Sequence, residues 1–172
     1  GARLKDFESA IQWLVASGLV HQIFRITKPN LPLGGYQDNV FKLYFVDVGL
    51  LTAKTGLDVS VLLAGNRLFT EFKGALTEQY VLQQLLVSGL EPIFYWGLER
   101  AVAEVDFVVQ HSSQIIPIEV KAEENLKAKS LRSYYDKFKP DKVFRTSMSD
   151  YRKQDWLVNL PLYALANFRS LE

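Results

Sequence analysis

The sequence predicts a mixed α/β domain, and three observations carry that expectation. Between residues 67 and 146 the hydrophobic pattern reads helix, three short strands, helix, strand, an order that mixes both element types in one unit. The strands alternate apolar and charged residues, as half-buried strands do. The chain has 172 residues, of which 48% are hydrophobic, enough for one domain with a real core.

Residues 3–17 read as an amphipathic helix. Leu4, Phe7, Ile11, Leu14 and Val15 recur at helical spacing, and Gly18 follows as a C-terminal stop. Leu19–Ile26 is apolar and β-branched and reads as a strand. Lys28–Gly35 holds two Pro and two Gly in eight residues and reads as a loop. A helix, a strand and a loose turn bury little area alone. Residues 1–40 are therefore expected to be the end of a small preceding domain, or an arm packed on the main one, which spans 41–172.

The main unit opens with a strand at Phe41–Val48, and one or two short helical turns follow within 50–64. Residues 67–88 form the longest helical candidate, ended by Gly89. Strands follow at Ile93–Trp96, Val102–Val109 and Ile115–Lys121. Residues 129–138 suit a helix before Pro140, and Lys142–Thr146 a further strand. The tail from Trp156 to Phe168 is apolar.

Composition excludes several functions. The 20 Lys and Arg nearly cancel the 19 Asp and Glu, for a net charge of +1, so bulk charge does not hold this chain on nucleic acid. There is no Cys. That removes disulfides, zinc ribbons and Cys nucleophiles, and fits a reducing, cytoplasmic interior. With two His, His21 and His111, a His-rich metal site is excluded. No Walker-type phosphate loop occurs, so ATP is not bound by this chain. No apolar run reaches the length of a membrane span.

The chemistry-bearing pattern lies on two neighbouring strands. Strict alternation puts Glu104, Asp106 and Val108 on one face and Ala103, Val105, Phe107 and Val109 on the other. In the next strand Glu119 and Lys121 share a face opposite Ile116, Ile118 and Val120. Glu78 shares a helical stripe with Ala75, Leu82 and Leu85, which turns it toward the core. A carboxylate there is costly unless paired or bound to a metal. Three acids and a Lys converging in this way suit a hard cation such as Mg²⁺ and metal-assisted phosphodiester hydrolysis. Lys121 would orient water or stabilise an oxyanion.

The set Asp106, Glu119-Val-Lys121 and the preceding helical Glu78 resembles the PD-(D/E)xK nuclease superfamily. Further stretches resemble a domain of unknown function (family 4143) found at the C-terminus of bacterial and archaeal AAA-type ATPases. They are Lys42-Leu-Tyr-Phe-Val-Asp-Val-Gly-Leu-Leu51, Gly74-Ala-Leu-Thr-Glu78, Tyr95-Trp96, Glu104-Val-Asp-Phe107, Pro117-Ile-Glu-Val-Lys121 and Leu160-Pro-Leu-Tyr163. The resemblance covers about residues 40–165. It implies an αβββαβ nuclease-like core preceded by a winged-helix remnant, within a C-terminal fragment of an ATPase. It also implies Asp106 and Glu119 as metal ligands, Glu78 as a third acidic group and Lys121 as the catalytic Lys. One departure is that Pro117 stands where a Pro-Asp doublet gives the superfamily its name, and the Asp lies upstream at Asp106.

Residues 121–145 carry eight basic and four acidic side chains, a local +4 against −3 elsewhere. Lys127, Lys129 and Arg132 in this stretch are the expected phosphate contacts. The expected partners are DNA or RNA and the ATPase module of a parent chain, with no membrane. The competing expectation is a non-catalytic interaction or assembly module that binds the ATPase domain or self-associates as a homo-oligomer.

Overall fold

The computed structural model describes residues 6–58, 60, 70–98, 103–122 and 128–170. The first part of the chain forms α1 (Glu8–Ala16), β1 (Val20–Ile26), a 3₁₀ turn at Leu33–Tyr36, β2 (Gln37–Phe45) and α2 (Val48–Thr55). The middle forms α3 (Thr70–Val87), β3 (Ile93–Gly97), β4 (Glu104–His111) and β5 (Gln114–Val120). The last part forms α4 (Lys129–Phe138), β6 (Phe144–Ser147), β7 (Arg152–Lys153), β8 (Val158–Pro161) and a 3₁₀ tail, Leu162–Ser170. The fold is mixed α/β, as the pattern predicted.

Among the described residues eight strands make one sheet in the order β2-β1-β3-β4-β5-β6-β8-β7. β3, β4 and β5 are an antiparallel meander. The chain then crosses through α4 to place β6 parallel to β5. From α3 to β6 the element order is thus helix, three strands, helix, strand. No helix among the described residues is long and apolar enough to cross a membrane.

Residues before 41 are part of this sheet. β1 pairs antiparallel with β2 and parallel with β3, and the expected boundary at residue 40 falls inside β2. Leu4 lies outside the described residues. Gly18 follows α1 at φ 73°, and Leu19 N–H donates to Leu14 at 3.1 Å, a left-handed exit that favours Gly. The turns expected within 50–64 are realised as α2, which Asp47 caps by accepting from Gly49 N; residues 59 and 61–69 lie outside the described residues. β7 forms just before the apolar tail and β8 within it, where no strand was expected.

Two cores flank the sheet. Along β3, Phe94 and Trp96 join one cluster and Tyr95 the other, so the clusters lie on opposite faces. On one face Val81, Leu82 and Leu85 of α3 pack with Phe107, Ile116 and Ile118. On the other, Leu131 and Tyr134 of α4 pack with Trp96, Val105 and Val108.

Strict alternation fails in β4. The pairing passes from Phe94↔Val108 to Trp96↔Val105, a register shift that sets both Asp106 and Phe107 opposite Tyr95. This is a β-bulge. Val105 therefore joins Val108 in the core beneath α4, while Phe107 and Val109 join the core beneath α3. The expected grouping of Val105 with Phe107 is corrected by this bulge. The stripe expected on α3 also shifts: Leu82 and Leu85 are buried, but Ala75 is exposed, and Leu76 and Gln79 point inward instead.

Candidate functional site

The antiparallel pairing of β4 and β5 runs as far as Phe107↔Ile118. One step beyond, the same register sets Asp106 opposite Glu119. There the Asp106 side chain continues the ladder, accepting from Val120 N–H at 2.7 Å. Glu119 is only 4% exposed. Its Oε1 accepts from Lys121 Nζ at 2.7 Å, and its Oε2 is buried with no hydrogen-bond partner. Glu119 and Lys121 share a face as predicted, with Ile116, Ile118 and Val120 together in the core opposite.

These carboxyls sit under strong and opposed influences. Burial pushes Asp106 well above the ordinary carboxylate range, and the charges of Glu119 and Glu78 push the same way; Val120 N–H and Lys42 oppose. Burial likewise raises Glu119, against the hydrogen bond and charge of Lys121, while Glu78 and Glu104 add to the rise.

A second set of groups adjoins them. Tyr44 Oη donates to Glu78 Oε2 at 3.0 Å. Lys42 Nζ lies 3.7 Å from the same oxygen and in direct contact with Glu104. The Lys42 ammonium also sits 5.1 Å above the Tyr95 ring centre. Burial disfavours that charge, yet Glu78, Glu104 and Asp106 together hold it above the ordinary Lys value. Burial and the carboxylate of Glu78 keep the Tyr44 hydroxyl protonated far up the pH scale.

Of the residues singled out by sequence, Glu119 and Lys121 form an ion pair, Asp106 faces Glu119 by register and interacts with it by charge, and Glu78 acts on both acids by charge while hydrogen-bonded to Tyr44. Lys127 lies outside the described residues. Lys129 and Arg132 are exposed on α4. Arg132 pairs with Asp136 at 3.0 Å and lies 5.1 Å over the Trp156 ring. Arg145 was counted with this basic stretch but is buried beside Glu119 as its strand partner on β6, and donates to Asn159 Oδ1 at 2.9 Å. A buried Arg on a parallel strand is part of the interior, not of an outward phosphate track.

Sequence reasoning missed Lys42 and Tyr44 as parts of this constellation. Both lie in the quoted stretch Lys42–Leu51, but nothing local indicates that β2 reaches the acids of α3 and β4. Glu104, on the predicted face of Asp106, was weighed as a substitute ligand, with a structural role preferred; its contact with Lys42 is such a role.

The donors are carboxylate oxygens, which suit a hard cation. Glu119 Oε2, buried without a partner, is an oxygen that such an ion would satisfy. Among the described residues no three Asp, Glu or His side chains converge closely enough to hold one ion. The pair Asp106 and Glu119, rather than a trio with Glu78, is the set that fits Mg²⁺, which commonly takes one or two carboxylates.

The molecule is thus a mixed α/β domain with charged side chains gathered where its central meander meets α3 and β2. A family model described as a domain of unknown function (DUF4143) matches residues 73–165, just over half of the chain, and the chain belongs to that family. A second model, also a domain of unknown function (DUF8612), matches residues 1–60. No curated protein matches the chain.

Proposed function

We propose that this domain is a PD-(D/E)xK-type, divalent-cation-dependent nuclease module of an AAA-type ATPase, acting on a nucleic-acid phosphodiester. The observation that carries the reading is Glu119, a buried carboxylate with one oxygen on Lys121 and the other unsatisfied. A buried carboxylate oxygen left without a partner is expensive, and such cost is typical of sites organised for chemistry rather than for stability. The sequence of helix, three strands, helix and strand from α3 to β6 supports the same reading.

In this reading Asp106 and Glu119 would hold the Mg²⁺. The ion when bound would stabilise charge developing on the phosphate and help activate water. Lys121, held 2.7 Å from Glu119, supplies a positive charge next to the reacting phosphoryl group. Glu78 keeps the local field negative from the α3 side. Lys129, Arg132 and, by sequence position, Lys127 would take the backbone phosphates of DNA or RNA.

The test is incubation of the purified protein with DNA and with RNA in Mg²⁺ or Mn²⁺, beside Asp106→Ala and Lys121→Ala. Divalent-dependent cleavage that both substitutions abolish is the expected result. Absence of cleavage, or cleavage that survives both, overturns the catalytic reading.

Exposed apolar side chains favour a second reading, a non-catalytic interaction or assembly module. Trp13 on α1 is 66% exposed, and Val40 and Leu43 on β2 are also open to solvent. Stable self-association without divalent-cation binding would support it.

A further inference from the structure

Lys42 has no part in the proposed chemistry, yet it occupies the middle of the acidic constellation. It arises on β2, outside the span matched by the DUF4143 model. Its ammonium contacts Glu104 and lies 3.7 Å from Glu78. It also carries an electrostatic interaction with Asp106. Tyr44, two residues along the strand, donates to the same Glu78 oxygen. A single cation thus reaches across from the sheet edge to acids on α3 and β4.

We propose that Lys42 is a resident counter-cation, whose ammonium neutralises the acidic cluster while no divalent ion is bound and withdraws when one enters. This rests on the metal-site reading given above. Glu119 Oε2, an unpartnered oxygen of a side chain 4% exposed, marks a place for a cation that Lys121 does not fill.

Physical chemistry makes the two cations alternatives. Glu78, Asp106 and Glu119 repel one another, and that repulsion must be offset in the metal-free protein. An ammonium does so as a compact point charge on a flexible stem. A divalent ion between Asp106 and Glu119 would be repelled by the ammonium interacting with Asp106. The half-buried Lys42 and the more open Glu104, whose side chains are 26% and 44% exposed, give the ammonium a route to solvent. Lys42 therefore sets how much divalent cation is needed to load the site.

The test combines Mn²⁺ titration calorimetry with amine acetylation footprinting, both on the full chain. Lys42→Met is expected to bind Mn²⁺ about tenfold tighter or more, and Lys42→Arg no tighter than wild type. Glu119→Gln, as a control, should lose binding. In the wild-type protein, acetylation of Lys42 should rise severalfold on adding Mn²⁺, a readout that stands even if the Met variant does not fold. Equal or weaker binding by a folded Lys42→Met, or Lys42 labelling that Mn²⁺ leaves unchanged, overturns the proposal while the metal site itself stands. Failure of both wild type and a folded Lys42→Met to bind Mn²⁺ overturns the metal-site reading, and this proposal with it.

Discussion

The Gln79 side chain clasps the backbone of Phe45, accepting from its N–H at 2.9 Å and donating to its carbonyl at 2.6 Å. Gln79 is 2% exposed, and Phe45 lies at the end of the edge strand β2. The amide therefore does for this edge what a further strand would do, and pins α3 to it. Gln79→Ala leaves both backbone groups without their partner. A buried polar group left unsatisfied costs about 1–3 kcal/mol, so the variant should lose roughly 2–4 kcal/mol. Urea denaturation checks this: the midpoint should fall with little change in slope.

A second expectation concerns pH. The folded-state pKa of Asp106 is raised above its ordinary value of 3.8, and Glu119 is raised above 4.5. A raised carboxyl binds its proton more tightly in the folded than in the unfolded chain. Its contribution to stability is therefore complete below the ordinary value and is lost as pH rises through the folded value. Asp106→Asn removes that loss while keeping an oxygen to accept from Val120. In divalent-free buffer the variant should melt higher than wild type at pH 7–8. The difference should shrink as pH falls through the raised folded-state value toward the ordinary 3.8. Thermal melts across pH decide it; a variant that melts lower at pH 8 would contradict the account.

Trp96 offers a contrast between two substitutions. Its fully buried ring packs edge-on against Tyr134 and Phe138 at 5.2 and 5.7 Å. Its indole N–H is buried with no acceptor. Trp96→Ala opens a large cavity and should cost about 3–5 kcal/mol. Trp96→Phe keeps a ring and removes the unsatisfied donor, so its loss should be well under half as large. Equal destabilisation of the two, measured by denaturant titration, would contradict this account.

Arg132 tests the phosphate track. It is exposed, and Asp136, 3.0 Å away, and the Trp156 ring hold it in place. If α4 lies along a nucleic-acid backbone, Arg132→Ala should weaken binding for all sequences alike and lower the log–log salt slope by about 1. Fluorescence anisotropy in Ca²⁺, over a range of salt, reads both quantities. An unchanged slope would remove Arg132 from the interface.

The sequence was most legible where a local rule operates. α4 was bounded at Lys129 and Phe138 by apolar spacing and a following Pro, and the meander followed from alternation and turns. Alternation misled at Val105 because a bulge is set by the neighbouring strand, here β3, and leaves no mark in its own residues. β8 was hidden because it holds a buried Asn159, whose amide accepts from Arg145 and Ser147; the polar residue reads as a break until its partners are known. Asp106, Glu119 and Lys121 were legible as a spaced motif. Lys42 and Tyr44 were not, since their role depends on contacts with residues more than 30 positions away.

The placement of β1 between β2 and β3 also bears on how this domain can be divided. A polypeptide that began at Phe41 would leave β2 with no strand beside it and would open the parallel side of β3. That vacant groove would show a row of unpaired amides and carbonyls, a template for any extended segment that found it. A fragment cut at the boundary suggested by the sequence pattern would therefore be adhesive rather than minimal, gathering other copies of itself through the slot that β1 normally fills.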